Sequence, residues 1–269
     1  TCYVENIPSN ELDTWAKVQG DRFQNMVIRG FHTELEAVYE EYNIGLSSDW
    51  RKMYAALFAK LFPTHPYGTQ TTIGLGEHLK NPSITNIKNY FNKYYVPNNV
   101  AICLSGDLNP DETVAAIEKY FGNWKPSAHI DVPQFPVQPA LTAPVDTTII
   151  GKEAPSFFMG WRAEASNSLQ MDTLEIVAQL LSNGAAGLFD LDLTQKLKVQ
   201  EVGAGVSDMN DYSVFYIYGQ PKKGQTLQEA RALALSEVEK LKKGEFSDDL
   251  LPSIINNYKR YYYTELDKN

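Results

Sequence analysis

Phe31-His32-Thr33-Glu34-Leu35-Glu36-Ala37-Val38-Tyr39-Glu40-Glu41-Tyr42-Asn43 is the stretch on which the reading of this chain turns. A helix starting near Thr33 carries Leu35, Val38 and Tyr42 at helical spacing. Glu34 and Glu41 are seven residues apart, and seven steps of 100° bring them within about 20° of one face, with Ala37 and Val38 between them. A structural helix turns its acids to water, so two carboxylates framing an apolar stripe stand out. The helical rise separates the two by roughly 10 Å, too far to share one metal ion. At most one is a direct ligand, and the other acts at a distance or on substrate. Glu36 and Glu40 point elsewhere, toward solvent. The spacing by itself also fits an acid-rich surface helix.

Other helices can be placed around this one. Leu12, Trp15, Ala16, Val18 and Phe23 give a helix after the turn at Asn6–Asn10, and Met53, Leu57 and Leu61 mark another over Asp49–Phe62. His65-Pro66-Tyr67-Gly68 sits in a loop that runs to Gly76. Ser83 caps a helix bearing Ile84, Ile87, Phe91 and Tyr94. Asn109-Pro110-Asp111-Glu112 opens one that buries Val114, Ile117 and Phe121 and stops at Gly122. Val100–Leu104 is a continuous apolar run, the pattern of a buried strand, with Cys103 as a small buried hydrophobe in it. Pro126, Pro133, Pro136, Pro139 and Pro144 forbid regular structure and mark a linker. Beyond it, Thr147–Ile150 and Phe157–Trp161 are strand-like. A helix carries Met171, Leu174, Val177, Ala178 and Leu181, and another covers Leu188–Val199. Val202–Val206 and Tyr212–Tyr218 form a hairpin. Thr226 and Glu229 make a capping box for a helix ending at Gly244, and a last helix fills the C-terminus.

Composition narrows the function classes. Of 269 residues, 43% are hydrophobic and 21% charged, the balance of a soluble globular protein. A net charge of -9 does not suit a phosphate backbone, so no nucleic-acid partner is expected. No run approaches a membrane span. Cys2 and Cys103 are too few for a disulfide framework or a Cys-only zinc site. Thr1–Glu5 has neither the basic nor the apolar region of a signal peptide, and the N-terminus is expected to be a cut inside a longer chain.

An ordered series of residues resembles one family. Asp21-Arg22-Phe23 and Thr33–Asn43 are followed by His65-Pro66-Tyr67-Gly68, Gly74, Tyr94-Tyr95-Val96-Pro97-Asn98-Asn99, Gly106-Asp107-Leu108 and Phe121-Gly122-Asn123-Trp124. Leu181-Ser182-Asn183-Gly184 and Leu188–Lys196 extend the series beyond the linker. The series resembles the pitrilysin/insulinase family of zinc metallopeptidases over nearly the whole chain. In that family two histidines of an inverted H-x-x-E-H helix and one distal glutamate hold zinc, and the Glu within the motif is the general base. The resemblance makes Glu41 the distal metal ligand and Glu34 an auxiliary catalytic acid. It implies Zn²⁺ as cofactor, a peptide or unfolded polypeptide as substrate, and the remaining modules of a parent chain or a partner subunit as partners. It also implies a bacterial source, with the compartment open.

The sequence departs from the family in one respect: it contains no H-x-x-E-H. His32, His65, His78 and His129 are never paired four apart. The motif is expected upstream of Thr1, and the chain alone is expected to be inactive and not to hold zinc tightly. The histidines present have plain readings: His65 a turn residue, His32 a helix-start residue, His78 and His129 exposed.

Phe246-Ser247-Asp248-Asp249-Leu250 echoes Phe31–Leu35, and carried on without gaps it sets Asn256 at the place of Glu41, a poor zinc ligand. The second half then reads as a non-catalytic copy, although five residues can also agree by chance. The expected fold is α+β: two related modules, each a mainly antiparallel sheet with helices packed on one face, the first truncated at its N-terminus. The expected boundaries are residues 1–125 for the end of the catalytic module, 126–146 for the linker and 147–269 for the second module. The expected function is that of a piece of a zinc metalloendopeptidase working in a chamber. The alternative is a catalytically inactive member serving as scaffold or partner subunit.

Overall fold

A computed structural model describes residues 1–267. Long-range contacts divide the chain into two compact units, residues 1–42 with 73–135, and residues 43–72 with those from 136 onward. The second division falls inside the proline-rich stretch. Residues 43–72, adjacent in sequence to the acid-rich helix, pack with the later unit.

The later unit is built on a three-stranded antiparallel sheet, β1 (Phe157–Ala163), β2 (Glu201–Ser207) and β3 (Ser213–Gln220), in the order β1-β3-β2. Alternation along the strands sorts two faces. Phe157, Val202, Phe215 and Ile217 face a core completed by Ala178 and Leu181 of α8 (Leu169–Leu181) and Ala230 and Ala234 of α9 (Leu227–Lys242). Leu181, Ile217, Ala230 and Ala234 have no exposed surface there. Each fully buried Leu- or Ile-sized side chain stabilises by roughly 1.5–3 kcal/mol. The opposite face, with Val214 and Tyr216, is covered by Tyr54, Leu57, Phe58 and Leu61 of α3 (Asp49–Leu61), a helix from far earlier in the chain. α3 comes so close that a Cβ at Gly160 of β1 would lie 2.8 Å from Leu57 Cδ2.

The N-terminus of α3 is fastened by Asp49. Its carboxylate accepts N–H bonds from Lys152 (2.6 Å) and Glu153 (2.8 Å) and pairs with Lys52 Nζ at 3.2 Å. α10 (Leu250–Leu266) packs Leu250 and Ile254 against Leu180.

The earlier unit is helical: α1 (Leu12–Gln24), most of α2 (Phe31–Ser47), α5 (Gly76–Lys80), α6 (Ile84–Tyr94) and α7 (Pro110–Phe121), while α4 (Pro66–Thr69) is a single turn in the later unit. α1 and α7 come backbone to backbone at Gly20, where a Cβ would stand 2.8 Å from the Tyr120 carbonyl oxygen. Tyr120 Oη donates to Asp13 at 2.7 Å, and Gln24 Nε2 donates to Tyr120 O at 2.8 Å.

Several expectations need correction. Val100–Leu104 is not a strand, and Cys103 is exposed rather than buried. A strand exists only where its backbone is paired, and this run has no ladder partner among the described residues. For the same reason the apolar face of α7 is uncovered: Val114 is 65% exposed. Thr147–Ile150 is likewise unpaired. The helix expected over Leu188–Val199 is mostly replaced by a π-helical turn, Asp190–Thr194. The Asp190 carboxylate accepts from the N–H groups of Asn183 (2.9 Å) and Gly187 (3.0 Å), and Leu197, at φ 53°, redirects the chain.

Candidate functional site

α2 places the two singled-out acids as helical geometry requires. Gly30, at φ 62°, precedes it, and the Glu34 N–H donates to Gly30 O in the first turn. Leu35, Val38, Tyr39 and Tyr42 are half-buried, and Tyr39 and Tyr42 stack with ring centroids 6.3 Å apart. Tyr39 also receives Lys80 Nζ over its ring, and the Tyr42 ring closes on Gly76, where a Cβ would stand 2.8 Å from it. Aromatic contacts therefore turn one side of α2 toward α5. Glu34, Ala37 and Glu41 are exposed. Neither Glu34 nor Glu41 forms an ion pair or side-chain hydrogen bond with any described residue. Both carboxylates are open to solvent.

These residues do not by themselves fit a zinc ion. The donor set on this face is carboxylate only, and two turns of helix separate its members. Among the described residues no group of three His, Cys, Asp or Glu side chains converges on a point that could hold a metal. The structure brings none of the four histidines to this face. His78 and His129 are exposed, and His32 lies edge-on to Phe31.

His65 proved to be more than a turn residue. It is 1% exposed, ringed by Phe62, Tyr67 and Tyr212. Its Nδ1 accepts the Tyr67 N–H at 3.2 Å, which leaves the Nε2 proton to donate to the Asp211 carboxylate at 3.2 Å. Tyr67 Oη in turn accepts from the Asp211 N–H at 3.2 Å. His65-Pro66-Tyr67-Gly68 is thus a clasp on the β2–β3 connection. No local signal marked it, because its partner lies 146 residues away. Gly68 is demanded by crowding, since any Cβ there would overlap the carbonyls of Phe58 and Phe62.

The model of the peptidase M16 inactive domain matches residues 83–258. The Helicobacter pylori zinc protease PqqE is 25% identical over 228 residues, covering 81% of this chain and 50% of that protein. The crystal structure of a protease from Helicobacter pylori superposes with a TM-score of 0.83 at 21% identity, over 96% of this chain and 64% of that one. Pitrilysin superposes with a TM-score of 0.60 at 19% identity, over 91% of this chain and 27% of that one. The chain spans about half the length of the curated relative it matches. It belongs to the peptidase M16 family, matching its inactive-domain model, and the pitrilysin resemblance and the α+β class hold.

Proposed function

Taking the chain as a member of the M16 family, we propose that it is part of a zinc-dependent metalloendopeptidase that cleaves peptides or unfolded polypeptides inside a chamber. In this reading Glu41 supplies one carboxylate to a metal site completed by residues outside the chain. Glu34, two turns earlier, adds negative field near that site or contacts substrate. Residues 83–258 contribute chamber wall rather than chemistry. The observation that supports it best is the open, uncompensated Glu34–Ala37–Glu41 face of α2. Asp13, by contrast, is paired with Lys119 at 2.9 Å.

The test uses the whole protein carrying these residues. Glu41→Gln keeps shape and removes charge, so zinc content and peptide cleavage are both expected to fall. Glu34→Gln should retain most of the zinc and slow cleavage. If Glu34→Gln loses the metal while Glu41→Gln keeps it, the ligand assignment is off by two turns. Full metal and full activity in both variants would reduce α2 to an ordinary solvated helix.

A second reading has its own support. The family model matched is the inactive-domain type, which favours a scaffold or partner subunit without chemistry. In that case neither substitution changes metal content, and the protein binds its partner without cleaving peptides.

A further inference from the structure

Two loops of the later unit are tied into one platform. The first, residues 195–198, follows the π turn, and the second, residues 221–225, joins β3 to α9. Lys222 Nζ donates to Leu197 O at 3.3 Å, and Gln225 Nε2 donates to Lys198 O at 3.0 Å. Gln225 also braces its own loop, accepting the Lys222 N–H at 3.1 Å.

Three features of this platform are left open by the fold. Leu197 is 75% exposed, and its backbone sits at φ 53°, where a leucine meets a steric cost that glycine avoids. A side chain held against its backbone preference and covered by nothing points to function rather than packing. Lys198, Lys222 and Lys223 are also exposed, and none has a carboxylate partner among the described residues. Lys196 beside them is taken by Asp192 at 2.6 Å. Finally, a cavity of about 590 Å³ runs from Lys222 and Lys223 along α9, over Ala232 and Leu233 to Ser236. The one acid that lines it, Glu229, is already engaged, since its carboxylate accepts the Thr226 N–H at 2.8 Å and the Thr226 hydroxyl at 2.9 Å. The lysines therefore set the sign of the charge at the mouth of the cavity.

We infer that this platform docks an acidic, partly apolar segment of a partner polypeptide. The carboxylates of that segment meet Lys198, Lys222 and Lys223. One of its apolar side chains enters the cavity over Ala232 and Leu233, and another covers Leu197. Polypeptide fits these features better than other polyanions do. Nucleic acid has no apolar side chain for the cavity, and neither loop has an aromatic residue on which a base could stack. A flat lipid surface would leave a cavity that runs along a helix unfilled. The whole chain carries a charge of -9, but salt screens repulsion from distant acids beyond about 8 Å under physiological conditions, so the local lysines decide what approaches this face. The inference does not depend on the peptidase reading.

The test titrates a fluorophore-labelled peptide, Glu-Asp-Leu-Phe-Glu-Asp-Leu with blocked termini, with the 269-residue chain and reads anisotropy. The unsubstituted chain should saturate the peptide, with an affinity that falls as salt rises. Lys222→Gln combined with Lys223→Gln should weaken binding by about tenfold. Leu197→Gly should weaken it by about tenfold as well. Its thermal midpoint should nevertheless hold or rise, because glycine takes φ 53° without strain. A leucine that served packing alone would not show that split. Four results overturn the proposal. The first is no binding to the unsubstituted chain. The second is undiminished binding to both variants, which puts the peptide elsewhere. The third is a lowered thermal midpoint in Leu197→Gly, which makes the leucine a packing residue. The fourth is capture of the chain by phosphatidylserine vesicles that the peptide does not displace, which makes the platform a membrane-facing surface.

Discussion

The two units of this chain are built from similar helices and differ in what those helices meet. α8 and α9 lie on a paired sheet, and their apolar stripes are buried, Leu181 and Ala234 completely. α6 and α7 carry equally regular stripes but leave Ile84, Tyr90 and Val114 exposed. Among the described residues, the buried hydrophobic ones of the earlier unit are Ala16 and Val96 alone. Amphipathic helices do not make a core by themselves. They need a partner surface, and in the later unit the paired sheet supplies it.

The sharpest way to break this comparison is to remove core side chains. Leu181→Ala in the later unit should cost about 2–5 kcal/mol, read as a lower urea midpoint. Val114→Ala in the earlier unit should fall within about 0.5 kcal/mol. Equal losses would mean that the earlier unit has a core after all. Gly68→Ala comes next. Its Cβ would overlap the carbonyls of Phe58 and Phe62, and overpacking of this kind costs about 1–3 kcal/mol. The fluorescence of the surrounding tyrosines should report a loosened His65–Asp211 clasp.

Helix caps allow a matched pair. Thr226 and Glu229 form a reciprocal capping box on α9, while Asn109 accepts from the N–H groups of Asp111 and Glu112 on α7. Each cap lost to Ala is expected to cost about 1 kcal/mol. For Thr226→Ala the loss should lower the stability of the whole later unit. For Asn109→Ala it should appear as local fraying, seen in amide exchange without a shift of the main transition.

The smallest effect is electrostatic. The N–H of Glu153, and after it the Lys52 ammonium and the Lys152 N–H, hold the Asp49 carboxyl below its ordinary value of 3.8, against the opposing pull of burial. A depressed folded value stabilises above the unfolded one and is lost as pH falls through the folded one. Asp49→Asn should therefore flatten the acid limb of the stability curve below about pH 4. Asp13, held low chiefly by Tyr120 and Lys119, is well exposed, and Asp13→Asn should leave the main transition where it is. An acid limb unchanged in Asp49→Asn would detach that residue from the folding of the later unit.

What could be read from the sequence was local. Caps at Ser83, Asn109 and Thr226, the stripe of α8 and the β2–β3 hairpin all rest on residues within a few positions of each other, and each is found. The 100° step of an α-helix places Glu34 and Glu41 on one face, and both are exposed on α2. What was missed depends on distant partners. Val100–Leu104 has strand composition but no strand to pair with. α3 joins a sheet about a hundred residues further on, and His65 is buried by Asp211 and Tyr212. At Asp190–Thr194 the backbone closes i→i+5 bonds, Gln195 N–H to Asp190 O and Lys198 N–H to Leu193 O, and makes a π turn that periodicity does not encode.

Amide hydrogen exchange of the dilute chain, resolved by residue, tests the contrast between the units most directly. The account expects β3 amides, Ser213–Gln220, to be among the last to exchange. Amides of residues 1–7 and 101–108, which have no backbone partner among the described residues, should exchange on the order of a thousandfold faster. Protection of residues 1–7 and 101–108 equal to that of β3, in dilute chain, would contradict it, because those groups would then already be paired.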